Sequence, residues 1–326
     1  MTPLNTALVW PAMRPRLGPA RVALVLAALV LGTAADRPDA PGAAPAPSLH
    51  IDCRGEPSSV PTVVLESGAF GAAADWDAVQ DDLARHGKVC SYDRSGIGQS
   101  PARAGEEGPE AIARELAAML DGLGEKRPVI LVGHSNGALY VEAFAALWPR
   151  RTAGLVYVNG VTSDDLDYPL LLDDLANERR LSDLAVVASD LSLGSMVAQI
   201  LTDSLGLGED GARRKREAIS SPEQLRTARD EDRAVIPGLA EVRALGGSPR
   251  SVPTAVIVGS TEPDAPLAQA WHAAETASAA RAERSWVLDA PGATHTSPLV
   301  RDRAYVVAAV NWLRSLPAPV RTASVR

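Results

Sequence analysis

The chain has 326 residues, 46% of them hydrophobic, with 32 Lys and Arg against 40 Asp and Glu. This length fits one α/β domain carrying an insertion, and a formal net charge of -8 argues against nucleic acid or an anionic membrane as the main partner. The two cysteines cannot make a zinc site by themselves but can make one disulfide, and aromatics at 4% leave the core to Ala, Val and Leu.

The N-terminus has the order of an export signal. Arg14, Arg16 and Arg21 precede an apolar run from Val22 to Leu31, and small residues follow as far as Ala35. This predicts a signal over 1–35, cleaved after Ala35. The run is shorter than the ~20 residues of a spanning helix; an uncleaved N-terminal anchor is the alternative. Residues 36–47 are rich in Ala and Pro and read as a disordered linker. The globular domain is expected over 48–318, and 319–326 is a tail.

Within the domain, strands are expected at Ser48–Cys53, Val60–Glu66, Lys88–Tyr92, Pro128–Val132 and Gly154–Asn159. Helices are expected between them at Asp75–His86, Pro109–Asp121 and Ala138–Trp148. Residues 161–250 break this rhythm. They hold no convincing strand, but helical stretches at Leu170–Leu181, Leu184–Leu201 and Pro222–Asp232, with Arg213–Arg216 as a solvated helix face. The stretch reads as a helical lid. The rhythm resumes with a strand at Val252–Val258, a helix at Ala265–Ala279, a strand at Ser285–Leu288 and a helix at Leu299–Leu316. Strand–helix alternation of this kind gives a mostly parallel sheet flanked by helices.

The chemistry centres on Gly133-His134-Ser135-Asn136-Gly137, a G-x-S-x-G turn between a strand and a helix. A side chain at Gly133 or Gly137 would collide with the neighbouring elements, and the strained turn lifts the Ser135 hydroxyl clear of the sheet. The hydroxyl needs a base. Of five histidines, His50 and His86 precede the turn, His134 lies inside it with its ring expected to point away from the hydroxyl, and His272 falls within a helix. His295 lies in the loop after the last strand, on the same rim as Ser135. The base needs an acid from another loop on that rim. Gly259-Ser260-Thr261-Glu262-Pro263-Asp264 offers Glu262 and Asp264, with Asp164 and Asp165 as the fallback. Oxyanion donors are expected from the N–H of Asn136 and from the loop after the second strand, at Ala69 or, failing that, Phe70. Cys53 ends the first strand and Cys90 lies inside the Lys88–Tyr92 strand, and an exported chain is expected to join this lone pair in a disulfide.

Over residues 48–318 the sequence resembles the α/β-hydrolase superfamily. The resemblance rests on Val63-Val64-Leu65-Glu66-Ser67-Gly68 for the oxyanion strand and turn, on Asp93-Arg94-Ser95-Gly96 for a structural loop, and on the serine turn with His295. Val252 to Gly259 resembles the strand before the acid. There the family has Gly-x-x-Asp-Pro, whereas this chain has Gly259 and Glu262-Pro263, which leaves Glu262 and Asp264 both open. The resemblance implies an α/β-hydrolase fold with a helical lid and an exported serine hydrolase cutting an ester or related acyl bond of a small-molecule acyl substrate. It calls for no cofactor, no metal, no nucleic acid and no obligate protein partner. An acyltransferase, thioesterase, amidase, C–C hydrolase or cofactor-free haloperoxidase would use the same triad. A dehalogenase or epoxide hydrolase would need Asp at 135. A non-catalytic binding protein on this fold is the reading from a different class.

Overall fold

The computed structural model describes residues 49–317 apart from 104 and 106. The expected export signal, the linker and the tail at 319–326 lie outside the described residues. In chain order the strands are β1 (Ile51–Arg54), β2 (Val63–Glu66), β3 (Val89–Tyr92), β4 (Val129–His134), β5 (Thr152–Val158), β6 (Thr254–Ser260) and β7 (Ser285–Pro291). They form one sheet in the order β1-β3-β2-β4-β5-β6-β7, parallel except for β1, which runs antiparallel to β3 at one edge. The central strands read as continuous apolar runs because both faces of a parallel sheet are covered. Every residue of β2 and β4 is buried.

Alternation along the strands divides the core between the two faces. Val64, Leu131 and Val256 pack with α2 (Pro109–Gly122) and α3 (Asn136–Leu147). Val63, Leu65, Ile130 and Ile257 pack on the other face with α1 (Asp77–Ala84) and α9 (Ala304–Ser315). Helix α3 has no polar face, and ten of its residues are buried, because it lies between the sheet and a second layer of helices. The Cys53–Cys90 disulfide forms as expected. The two residues face each other across the β1–β3 pair, with their Cα atoms 4.1 Å apart.

Residues between β5 and β6 hold no strand and form α4 (Pro169–Ala188), α5 (Gly194–Asp203), α6 (Glu209–Ala218) and α7 (Pro222–Ala244), with α8 (Pro266–Arg281) following β6. Among the boundaries that differ from the sequence expectation, two lie in this stretch. The break between α4 and α5 falls at 189–193, where Ser192 takes a φ of +67°, and not at Ser182. Helix α7 runs on from Asp232 past Pro237 to Ala244. Its start is fixed by a reciprocal cap: Ser221 Oγ accepts from Gln224 N–H, and Gln224 Oε1 accepts from Ser221 N–H. Its continuation buries Val235, Leu239 and Val242 against the sheet-side core, which outweighs the backbone bond that Pro237 cannot make.

Candidate active site

Ser135 sits between β4 and α3 with φ +52° and ψ -127°. A non-glycine residue held there is strained, and the surroundings must hold it. They do so closely. A Cβ on Gly133 would come within 2.5 Å of the Gly137 carbonyl oxygen, and one on Gly137 within 2.6 Å of the Glu66 oxygen. The Ser135 carbonyl accepts from the N–H groups of Ala138 and Val161, each at 3.0 Å. A trans peptide sends its N–H opposite to its C=O. The N–H of Asn136 therefore points away from those two donors, and it has no acceptor among the described residues.

The loop after β2 repeats this logic. The Arg94 guanidinium, 2% exposed, donates to the carbonyls of Ser67 at 2.7 Å and Gly68 at 2.9 Å. It also pairs with Glu66 at 2.8 Å and, bidentately, with Glu231 of α7 at 2.8 and 2.7 Å. Lys215 of α6, equally buried, donates to the Phe70 carbonyl and pairs with Asp75 at 2.8 Å. With the Gly68 carbonyl turned to Arg94, the Ala69 N–H points the other way, and it too has no acceptor among the described residues. The expectation that Arg213–Arg216 is a solvated face fails at Lys215. Its ammonium is drawn inside by a carboxylate and a carbonyl that need a cation, a pairing that no local sequence pattern announces.

Ser135, His295, Ala69, Phe70 and Lys215 line one cavity of about 340 Å³, bordered by residues of α4 and α5. Most of its remaining wall is apolar, with Leu181, Ala185, Val197, Ile200, Leu201 and Leu299. No side-chain hydrogen bond joins Ser135 to His295 among the described residues. The loop carrying His295 is anchored through its backbone: the His295 carbonyl accepts from His134 Nε2 and from Asn159 Nδ2, both at 2.9 Å. Asn159, at φ +44°, in turn accepts the Gly259 N–H at 2.6 Å and so ties three strand ends together.

His134 lies nearer the centre than its place in the turn suggests. It lines the same cavity, and its ring centroid is 4.7 Å from that of His295. Burial, reinforced by His295, lowers its pKa to about 3, so it is neutral and its Nε2 carries the proton given to the His295 carbonyl. His295 is exposed on the cavity wall, and the protein packed around its ring lowers its pKa by desolvation, against the opposing charge of Asp174.

Of the two candidate acids, Glu262 lines a second cavity that also includes His295, while Asp264 stands in solvent with its backbone carbonyl bonded to Gln269. Neither carboxylate hydrogen-bonds His295 among the described residues. The fallback pair is committed elsewhere: Asp164 accepts from Ser278 at 2.9 Å and pairs with Arg281, and Asp165 caps the turn begun by Thr162. Sequence reasoning missed Asp174 and Glu178, two α4 carboxylates that line the His295 side of the site. The other histidines are placed as the sequence suggested: His50 pairs with Asp93 at 3.0 Å, His86 is exposed, and His272 pairs with Asp289 on the surface. Among the described residues, no group of three or more His, Cys, Asp or Glu is arranged to hold a metal ion.

This architecture has known relatives. The "Putative carbamate hydrolase RutD" of Stutzerimonas stutzeri is 38% identical over 119 residues, which are 35% of this chain and 44% of that protein. The chain thus spans less than half the length of this relative. A thermophilic esterase from Thermogutta terrifontis superposes with a TM-score of 0.58 at 22% identity, over 82% of this chain and 93% of the esterase. A variant of a "putative epoxide hydrolase" from Pseudomonas aeruginosa gives 0.66 at 18% identity, over 81% and 91%. At such identities the two structures speak for the fold alone. The family model for the alpha/beta hydrolase fold matches residues 61–284, more than half of the chain. With its seven-stranded sheet and its serine turn, the chain belongs to the α/β-hydrolase fold family.

Proposed function

We propose that the protein is an exported serine hydrolase that cleaves an ester or a related acyl bond, such as a carbamate, through an acyl-enzyme. The observation that carries this reading is the strained Ser135 facing the same cavity as His295, beside two backbone N–H groups without acceptors. In the reaction, His295 takes the proton from Ser135 Oγ as that oxygen bonds to the acyl carbon. The carbonyl oxygen becomes an oxyanion, held by the N–H groups of Ala69 and Asn136. Collapse breaks the bond to the leaving group, which receives the proton from His295. Water then adds to the acyl-enzyme with His295 again as base, and the acid is released from Ser135.

Glu262 is the preferred acid for His295, because it borders the same cavity while Asp264 does not. The helices between β5 and β6 act as the lid, and their apolar side chains hold the acyl chain. Export is supported by the basic–apolar–small order of residues 1–35 and by the Cys53–Cys90 disulfide.

A fluorophosphonate probe tests the core of this reading. It should attach to one serine, with the adduct on the peptide containing Ser135, and Ser135→Ala should abolish labelling. His295→Ala should lower ester hydrolysis by about 10⁶-fold, and the double variant should be little worse, since triad members act as a unit. A folded wild-type protein that takes up no probe and hydrolyses no activated ester would overturn the proposal.

A further inference from the structure

In the largely apolar wall of the Ser135 cavity, one buried ion pair has bonding capacity left over. Lys215 is 2% exposed and Asp75 4%. Both line the cavity beside Ala69 and Phe70. An ammonium carries three N–H donors. Lys215 directs one to the Phe70 carbonyl and one to Asp75 Oδ2, and the third has no acceptor among the described residues. Asp75 Oδ2 also takes the Ala72 N–H at 3.3 Å, while Oδ1 of the same carboxylate has no donor. A buried donor and a buried acceptor left unmet side by side are costly. The other buried acid of this wall is differently placed: Asp232 is bonded to Ser182 through one oxygen and to Asn136 Nδ2, at 3.1 Å, through the other.

A group that completes the Lys215–Asp75 pair must accept from the ammonium and donate to the carboxylate. A hydroxyl does both, whereas a ketone or an ether can only accept. A carboxylate fits worse still, because Asp75 already balances the Lys215 charge at 2.8 Å and a second anion would face it with no proton to give. The place of the pair is set by the loop after β2. Lys215 holds the carbonyl of Phe70, and Phe70 directly follows Ala69, the residue whose N–H serves the oxyanion in the reading above. One residue spans roughly 3.5 Å, so a hydroxyl bound there belongs only a few carbons along the acyl chain.

We propose that Lys215 and Asp75 form a specificity subsite for a hydroxyl on the acyl chain, and that the preferred substrates are esters of hydroxy acids. The inference rests on the serine-hydrolase reading and on its placing of the acyl chain in this cavity. The hydroxyl keeps its proton throughout and takes no part in the bond changes at Ser135. It selects the substrate by satisfying two groups that a plain alkyl chain leaves unmet.

The test compares the ethyl esters of 3-, 4-, 5- and 6-hydroxyhexanoic acid with ethyl hexanoate, reading ethanol release above the enzyme-free rate. At least one hydroxy ester should exceed ethyl hexanoate in kcat/KM by about tenfold, the scale of a hydrogen bond to a charged group. Methylating that hydroxyl should remove the gain, because an ether gives Asp75 nothing. Lys215→Met should bring the ratio to within about threefold of unity, whatever it does to the rate on ethyl hexanoate. Loss of the Phe70 contact alone would slow both esters alike and keep the ratio. If Lys215→Met does not fold, the wild-type protein decides: a preference for the hydroxy over the methoxy ester upholds the subsite, and equal rates overturn it. No hydroxy ester preferred over ethyl hexanoate, a ratio that survives Lys215→Met, or a stronger preference for monoethyl adipate, whose acyl chain ends in a carboxylate, would overturn the subsite and leave the hydrolase reading intact. Inactivity toward all of these esters would also overturn it, and inactivity toward an activated ester as well would break the hydrolase reading too.

Discussion

Two loops on the same rim of the sheet are built in opposite ways. The loop after β2, residues 67–71, is held by buried charge: Arg94 takes two of its carbonyls and Lys215 a third. The loop after β6, residues 261–264, is exposed throughout, and the side chains of Glu262 and Asp264 make no hydrogen bond among the described residues. The difference follows from what each loop offers. An oxyanion donor is a backbone N–H, useful only if its peptide plane is fixed beforehand. A carboxylate acts through charge at the end of a flexible side chain, and that charge is cheapest to keep in water until a partner needs it. Rigidity therefore sits under the first loop and solvent under the second.

The largest expected effect sharpens the exposed loop. Glu262→Gln should lower kcat/KM by about 10⁴-fold, the loss typical of a triad acid, while Asp264→Asn should change it little. The reverse ranking would hand the role to Asp264, and two small losses would move it to Asp174 or Glu178 on α4. The clamped loop breaks differently. Arg94→Met leaves Glu66 and Glu231 buried without their cation and should cost about 3–5 kcal/mol in denaturant unfolding. Activity should fall in the surviving folded protein, because the Ser67 and Gly68 carbonyls lose their donor. If stability falls and kcat stays at the wild-type value, the clamp does not orient the Ala69 N–H.

A third change reaches neither loop. Converting both Cys53 and Cys90 to Ser should lower stability by about 3–4 kcal/mol, the loop-entropy value for a closure of 37 residues. It should leave kcat unchanged, and a loss of kcat would couple the sheet edge to the site. The smallest effect is in pH. Hydrolysis needs neutral His295, so kcat/KM should be flat above its pKa and fall as pH drops through it. With that pKa lowered by desolvation, the acid limb should lie below the ordinary histidine value of about 6.5. A limb above 6.5 would mean that a nearby carboxylate, Asp174 or Glu262, dominates over desolvation.

Much of this was legible in the sequence where backbone dictates residue type. The serine turn needs two glycines, the central strands need unbroken apolar runs, and the loop after β2 needs small residues, so each is written in adjacent letters. The Cys53–Cys90 pair was legible because β1 and β3 each carry a single cysteine. What escaped was set by distant partners. Lys215 reads as one cation in a charged run, and only the fold brings it to Asp75 and Phe70. Asp174 and Glu178 look like the polar face of a helix until α4 is laid over His295. The α4–α5 break was misplaced because Ser189 to Leu193 holds neither Gly nor Pro, and the one glycine beside it, Gly194, falls inside the apolar run read as a single helix.

The antiparallel β1 has a consequence for the life of the protein in concentrated solution. The next strand inward, β3, is wholly buried and pairs with β1 on its outer side. If β1 came away, Val89 to Tyr92 would present an open row of amides and carbonyls, the kind of edge on which another chain can add a strand. The cystine crosses that very pair and keeps β1 from peeling off alone. Its removal should therefore show first as self-association, with loss of monomer on concentration or storage, well before any change in the unfolding midpoint matters to function.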